Sequence, residues 1–293
     1  MECNVSIIQA LIGALVTVIS MGKRSSKLCM NCFGRSEGTD NPDPTLKPTP
    51  KQATEDRETP ATGDKPALSQ EAISLALLSE EDQRLVSLIN NTLDTFFGMI
   101  RAPVSTDPEL NLISNKDNLI IHSKDTPRGF LLRSEWLMEF EPSEFIQFLG
   151  DVELRPNWDK KMESVTMVKT ILSEYGVYYQ KYKKIMLLSQ RDVLYVSKTF
   201  QLGTAWINIC SSIELPEFPP DQNDTVRMRL FLGGYYAEPL EEPIGPLKTK
   251  VTCVSECDFG GAVPRAIVKK VSAITIPSYV KEVENALRTY LGR

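Results

Sequence analysis

Arg155 stands four residues before Asp159 in the run Leu154-Arg-Pro-Asn-Trp-Asp-Lys-Lys. A guanidinium is a planar fork of donors that matches the oxygens of a phosphate. A carboxylate about one helical turn further on is placed to orient that fork. Such a pair has two uses: it can recognise a charged group, or it can pin a turn with Trp158 packed beneath it. Aromatic rings that suit a cationic group are also at hand. Tyr178, Tyr179, Tyr195, Tyr235 and Tyr236 lie in strand-like runs, where parity sends neighbours to opposite faces. Arg191-Asp192, at the head of another strand, reads as a structural pin.

Other chemistry is set aside by what the chain lacks. His122 is the sole histidine, which excludes multi-histidine metal centres, and its alternating context makes it a polar residue on a strand face. There is no Ser-His-Asp spacing, no phosphate-binding glycine loop and no dinucleotide fingerprint, so neither an enzyme nor a cofactor is indicated. Gly233-Gly234 and Gly260-Gly261 read as turns or bulges. The formal net charge of −5 gives no global basic field for a nucleic acid. The six cysteines are scattered through a chain large enough to fold without staples and read as reduced thiols. Cys29 and Cys32 form one C-x-x-C with no second pair, which is weak for metal.

The chain divides into three parts. Residues 1–33 hold the uncharged apolar run 5–21, followed by Lys23, Arg24 and Lys27. As a helix that run spans roughly 25 Å, near the lower limit for crossing a bilayer. Positive charge after the run predicts a membrane anchor with the rest of the chain facing the cytosol; the alternatives are a signal peptide or an organelle-targeting segment. Cys29 and Cys32 beside the basic flank are candidate acylation sites. Residues 34–68 are rich in Pro, Thr and charge and predict a disordered linker with a root-mean-square reach of about 30–35 Å. Residues 69–293 form the globular part.

Within that part, Ser79-Glu-Glu-Asp predicts a helix start. Leu85, Leu88, Ile89, Leu93, Phe96 and Phe97 then recur at helical spacing. Residues 118–123 and 129–140 alternate as strands, and Pro142–Leu149 reads as a short helix opened by proline. Six further strand-like runs occupy about 163–258, and a long helix closes the chain over Val263–Leu291. This order predicts an α+β domain with one curved antiparallel sheet against a terminal helix.

Four motifs in sequence order resemble one family. Leu154-Arg-Pro-Asn-Trp-Asp resembles its R-x-x-W-D signature, and Ser189-Gln-Arg-Asp-Val its S-x-R-D passage into a central strand. Lys248-Thr-Lys-Val-Thr and Asp258-Phe-Gly-Gly-Ala-Val-Pro resemble the run into its last helix. Over roughly residues 80–291 the chain is similar to the START (StAR-related lipid transfer) domains, most of all to the phosphatidylcholine transfer protein group. Ile276-Pro-Ser-Tyr and Gly260-Gly-Ala-Val-Pro carry the likeness to that group. The resemblance implies a helix-grip fold enclosing a lipid tunnel, with the last helix as its lid. It also implies intermembrane transfer of one lipid without catalysis. The ligand expected is a glycerophospholipid such as phosphatidylcholine; the alternatives are a sterol or ceramide, or a lipid-gated regulatory module.

The implied lipid-binding residues are Arg155 and Asp159 at the headgroup, Tyr179, Tyr195 and Tyr236 as aromatic support, and Val271 and Ile274 on the lid. Val268, Val271, Ile274, Tyr279, Val283 and Leu287 trace an apolar stripe along that helix, which Pro277 should loosen. Sterol-binding members carry an acid on the strand before the S-x-R-D motif and an arginine six residues after its arginine. Here those places hold Gln180 or Lys181, and Ser197, which weakens a cholesterol reading. Lys181, Lys183 and Lys184 precede an apolar run, Ile185–Leu188, which reads either as a membrane-touching loop tip or as a solvated turn before a strand. The partners expected are a lipid and membranes; no protein partner is specified.

Overall fold

The computed structural model describes residues 76–184, 189–220, 224–261 and 263–293. The anchor expected at 5–21, the linker at 34–68 and the apolar tip at 185–188 lie outside these residues. Among the described residues no helix is long and apolar enough to cross a membrane.

Helix α1 (Glu80–Arg101) starts where its cap says it should: the Ser79 hydroxyl accepts the Asp82 amide at 3.1 Å. Glu80, Glu81 and Asp82 complement the positive end of the helix and Arg101 the negative end. Lys169 ties that acidic turn to the sheet, 2.7 Å from Glu81 and 2.8 Å from Asp82. The antiparallel hairpins β1 (Asn111–Lys116), β2 (Leu119–Thr126) and β3 (Gly129–Met138) follow. Helix α2 (Pro142–Gly150) has proline in its first turn and a reciprocal Glu141/Glu144 capping box. Helix α3 (Arg155–Trp158) is a single turn.

The sheet continues with β4 (Met162–Leu172), β5 (Tyr175–Tyr182), β6 (Arg191–Leu202), β7 (Ala205–Ser212), β8 (Val226–Arg227), β9 (Arg229–Ile244) and β10 (Leu247–Asp258). These strands order as β1-β2-β3-β10-β9-β7-β6-β5-β4, with β8 paired in parallel to β6. Helix α4 (Arg265–Leu291) ends on Gly292 in the left-handed conformation and runs without interruption through Pro277.

The two faces of the sheet have different partners. Helix α1 lies on one face, with Phe96 fully buried and Phe97 edge-on to Tyr236 at 6.4 Å. Gly234 permits that approach, since a Cβ there would sit 2.7 Å from the Phe96 ring. Arg133, on the same face, donates to the Met99 and Ala102 carbonyls at 2.8 and 3.0 Å and so caps the C-terminus of α1. Helices α2 and α4 cover the other, inner face. There Trp136, Phe145 and Tyr235 meet edge to face at 5.5–6.2 Å, and Val268, Ile276, Tyr279, Val283 and Leu287 are buried against them. His122 stands on the outer face of β2 opposite Arg133, half-buried, with burial drawing its pKa down.

Candidate functional site

Among the described residues, a buried polar cluster on the inner face has Arg155 at its centre. Pro156 follows it in the first turn of α3, which directs the arginine inward with no exposed surface. Asp159, 1% exposed, places Oδ2 at 3.5 Å from Arg155 Nε. The Asp159 Oδ1 accepts the Lys161 amide at 3.1 Å, which fixes the carboxylate at the end of the turn. The guanidinium lies over the Trp158 ring at 4.3 Å, and Trp158 stacks on Phe148 at 5.4 Å. Arg155 Nη2 donates to the Tyr279 hydroxyl of α4 at 3.2 Å. Tyr279 is in turn hydrogen-bonded to Tyr235 of β9. Thus α3, the sheet and α4 meet at one cation.

The electrostatics of this cluster follow from its burial. Desolvation opposes charge on Arg155, but the Tyr279 and Asp159 oxygens outweigh it and hold the pKa above the ordinary arginine value. Burial pushes the Tyr182, Tyr195 and Tyr235 hydroxyls well above the usual tyrosine range, so all three stay neutral donors. Alongside lies a neutral set: Tyr195 donates to Gln180 Oε1 at 3.3 Å, and Gln180 donates to the Tyr182 hydroxyl. Beyond it Asn208 donates to Ser197 and Thr199 at 3.0 and 2.7 Å. The arrangement presents one fixed positive fork, one carboxylate and several neutral hydroxyls inside an aromatic enclosure. It can receive a phosphate at the fork and a cationic or hydroxylic group beside it.

Of the residues expected from sequence, Arg155, Asp159 and Tyr195 come together here. Tyr179 does not: it lies on the outer face, donating to Asp192 at 2.7 Å and packing on Phe218 at 4.9 Å. Burial and then the Asp192 carboxylate push its pKa up to about 12. Tyr236 also faces outward, beneath α1, and its neighbour Tyr235 takes the inner place. Both corrections are matters of strand parity. Ile274 is 47% exposed and belongs to a surface groove with Ile113, Leu119 and Pro277. The inward stripe of α4 runs through Val268, Ser272, Ile276, Tyr279, Val283 and Leu287, and Ile274 falls off it. The side chain of Val271 lies outside the described residues. Tyr182, Tyr235, Tyr279 and Gln180 complete the cluster. Parity also decides between the two positions left open on β5: Gln180 faces in, and Lys181 lies on the opposite face.

The START domain family model matches residues 109–290, more than half of the chain, and the protein belongs to that family. Among curated relatives, human START domain-containing protein 10 is 26% identical over 142 residues, covering 48% of this chain and 47% of that protein. The mouse ceramide transfer protein is 20% identical over 232 residues, covering 73% of this chain and 37% of its own length. The chain therefore aligns to less than half the length of each. Among solved structures, human StAR-related lipid transfer protein 5 superposes with a TM-score of 0.63 at 16% identity, covering 71% of this chain and 99% of that one. Human STARD10 superposes with a TM-score of 0.59 at 21% identity, covering 68% and 81%. The fold is the START helix-grip fold, a curved antiparallel sheet gripped by a C-terminal helix.

Proposed function

We propose that this protein carries one lipid between membranes without chemically altering it, the lipid lying in a tunnel between the inner face of the sheet and α4. The favoured cargo is a glycerophospholipid such as phosphatidylcholine. The observation that supports this reading is the Arg155 fork, fully buried yet faced by the Asp159 carboxylate and by neutral hydroxyls. A phosphodiester would take the fork by charge-assisted hydrogen bonds. The ammonium of a choline group would lie against Asp159 and the aromatic faces. To admit the phosphate, Arg155 would release Tyr279, so loading would loosen α4 at the contact that joins it to α3. The apolar segment 5–21 and the linker 34–68 add a tether, with this domain on the cytosolic side of its host membrane.

A second reading, a ceramide cargo, draws on the neutral trio Gln180, Tyr182 and Tyr195, which suits an amide and hydroxyls better than a phosphate. The full-length chain, donor vesicles of mixed lipids and unlabelled acceptor vesicles distinguish the two. Transfer of fluorescent phosphatidylcholine above that of ceramide supports the first reading. The reverse order supports the second, and no transfer of any lipid overturns lipid carriage.

A further inference from the structure

The inner face holds a second arginine whose charge the Arg155 cluster does not use. Arg191 opens β6, opposite Tyr182 in the ladder, and is 5% exposed. Its Nη1 donates to the Ser189 carbonyl, and its Nε is buried with no hydrogen-bond partner. The neighbouring acid does not serve it. Asp192 points to the other face, where Arg227 Nε and Nη2 hold it at 2.7 and 3.1 Å and Tyr179 at 2.7 Å. Glu163, the next acid along this edge, accepts from Gln190. Among the described residues no carboxylate pairs with Arg191. Burial alone draws its pKa below the ordinary arginine value, with no opposing charge to restore it.

The exposed Gly261 lies beside Arg191: a Cβ there would stand 3.6 Å from Arg191 Nη2. Gly260 and Gly261 both adopt left-handed backbone, with φ of 67° and 66°. That turn leads directly into α4, 27 residues long. The N-cap of α4 is Pro264, which supplies no side-chain cap, and its first turn contains no acid. The turn that leads into the positive, uncapped end of a long helix thus lies, at Gly261, beside an arginine that no carboxylate among the described residues pairs.

We propose that Arg191, the Gly260–Gly261 turn and the uncapped start of α4 form a binding site for a phosphate-bearing anion, separate from the Arg155–Asp159 pair. A phosphate there receives the guanidinium fork on one side and the helix amides on the other. Because one side of the site is the start of α4, its occupancy bears on the helix that covers the inner face. Two sources supply the same chemistry: the headgroup of an anionic phospholipid, or free phosphate.

Isothermal titration of the full-length chain with inorganic phosphate, dihexanoyl phosphatidate and dihexanoyl phosphatidylcholine tests the site. The wild type should bind phosphatidate more tightly than the neutral phosphatidylcholine. Arg191→Gln should weaken phosphatidate binding about ten- to a hundredfold, the loss of one or two charge-assisted contacts. Arg191→Lys, which keeps charge without the fork, should fall between. Arg191→Gln should leave phosphatidylcholine binding unchanged, which separates this site from the cargo site. Phosphate binding as tight as phosphatidate assigns the site to the free anion; much tighter phosphatidate binding assigns it to a lipid headgroup. No heat with either anion in the wild type overturns the proposal, whatever the stability of the variants, and so does an Arg191→Gln protein that binds like the wild type.

Discussion

Replacing Arg155 with methionine keeps much of its length and removes its charge. The side chain is fully buried, and Asp159, its partner at 3.5 Å, is 1% exposed. The variant leaves a desolvated carboxylate without this counter-charge, at a cost of about 3–5 kcal/mol. The contact to Tyr279 goes with it, and with that the polar link between α3 and α4. Adding Asp159→Asn removes the stranded charge while retaining an acceptor for the Lys161 amide. The double variant should regain most of the loss, with a coupling energy of about 2 kcal/mol or more between the two sites. Urea unfolding followed by tryptophan fluorescence reads all four proteins, and Trp158 beside Arg155 reports the site itself. The folded double variant should still fail to extract phosphatidylcholine from vesicles. A single variant that costs less than about 1 kcal/mol, or a double variant whose loss equals the sum of the singles, refutes the buried-pair argument.

Three further outcomes follow. Tyr235→Phe should cost about 1 kcal/mol and alter lipid uptake, because its hydroxyl belongs to the Arg155 cluster, whereas Tyr236→Phe should leave uptake unchanged; vesicle extraction with thermal melts separates them. Gly234→Ala should destabilise by about 1–3 kcal/mol, since a Cβ at 2.7 Å from Phe96 forces α1 away from the sheet; chemical denaturation measures it. Pro277→Ala restores a backbone donor within α4, so it should raise stability and slow lipid release between vesicles; unchanged release kinetics would remove α4 from the release step.

The pattern of legibility has physical causes. Ser79 with its acidic turn, and Pro142 at a first turn, act through local backbone bonds, so both helix starts were readable. Arg155 and Asp159 were readable as a pair because a single turn carries both. Strand faces were harder. Gly-Gly-Tyr-Tyr has an aromatic at both parities, and what decides between them is α1 from far along the chain, pressing Phe96 onto Gly234. That contact turns Tyr236 outward and Tyr235 inward, and the small residue opposite an aromatic was the signal available. In α4 the inward positions include Ser272 and Thr275, so apolar spacing alone drifted onto Ile274. Strand β1 gave no warning because its exposed edge position leaves it without alternation.

Native mass spectrometry of the full-length chain, after incubation with vesicles of mixed phospholipid, ceramide and sterol, tests the central claim most directly. The account predicts one glycerophospholipid per chain, absent from Arg155→Met. A chain that emerges empty, or one that keeps its phospholipid when Arg155 is gone, would contradict it.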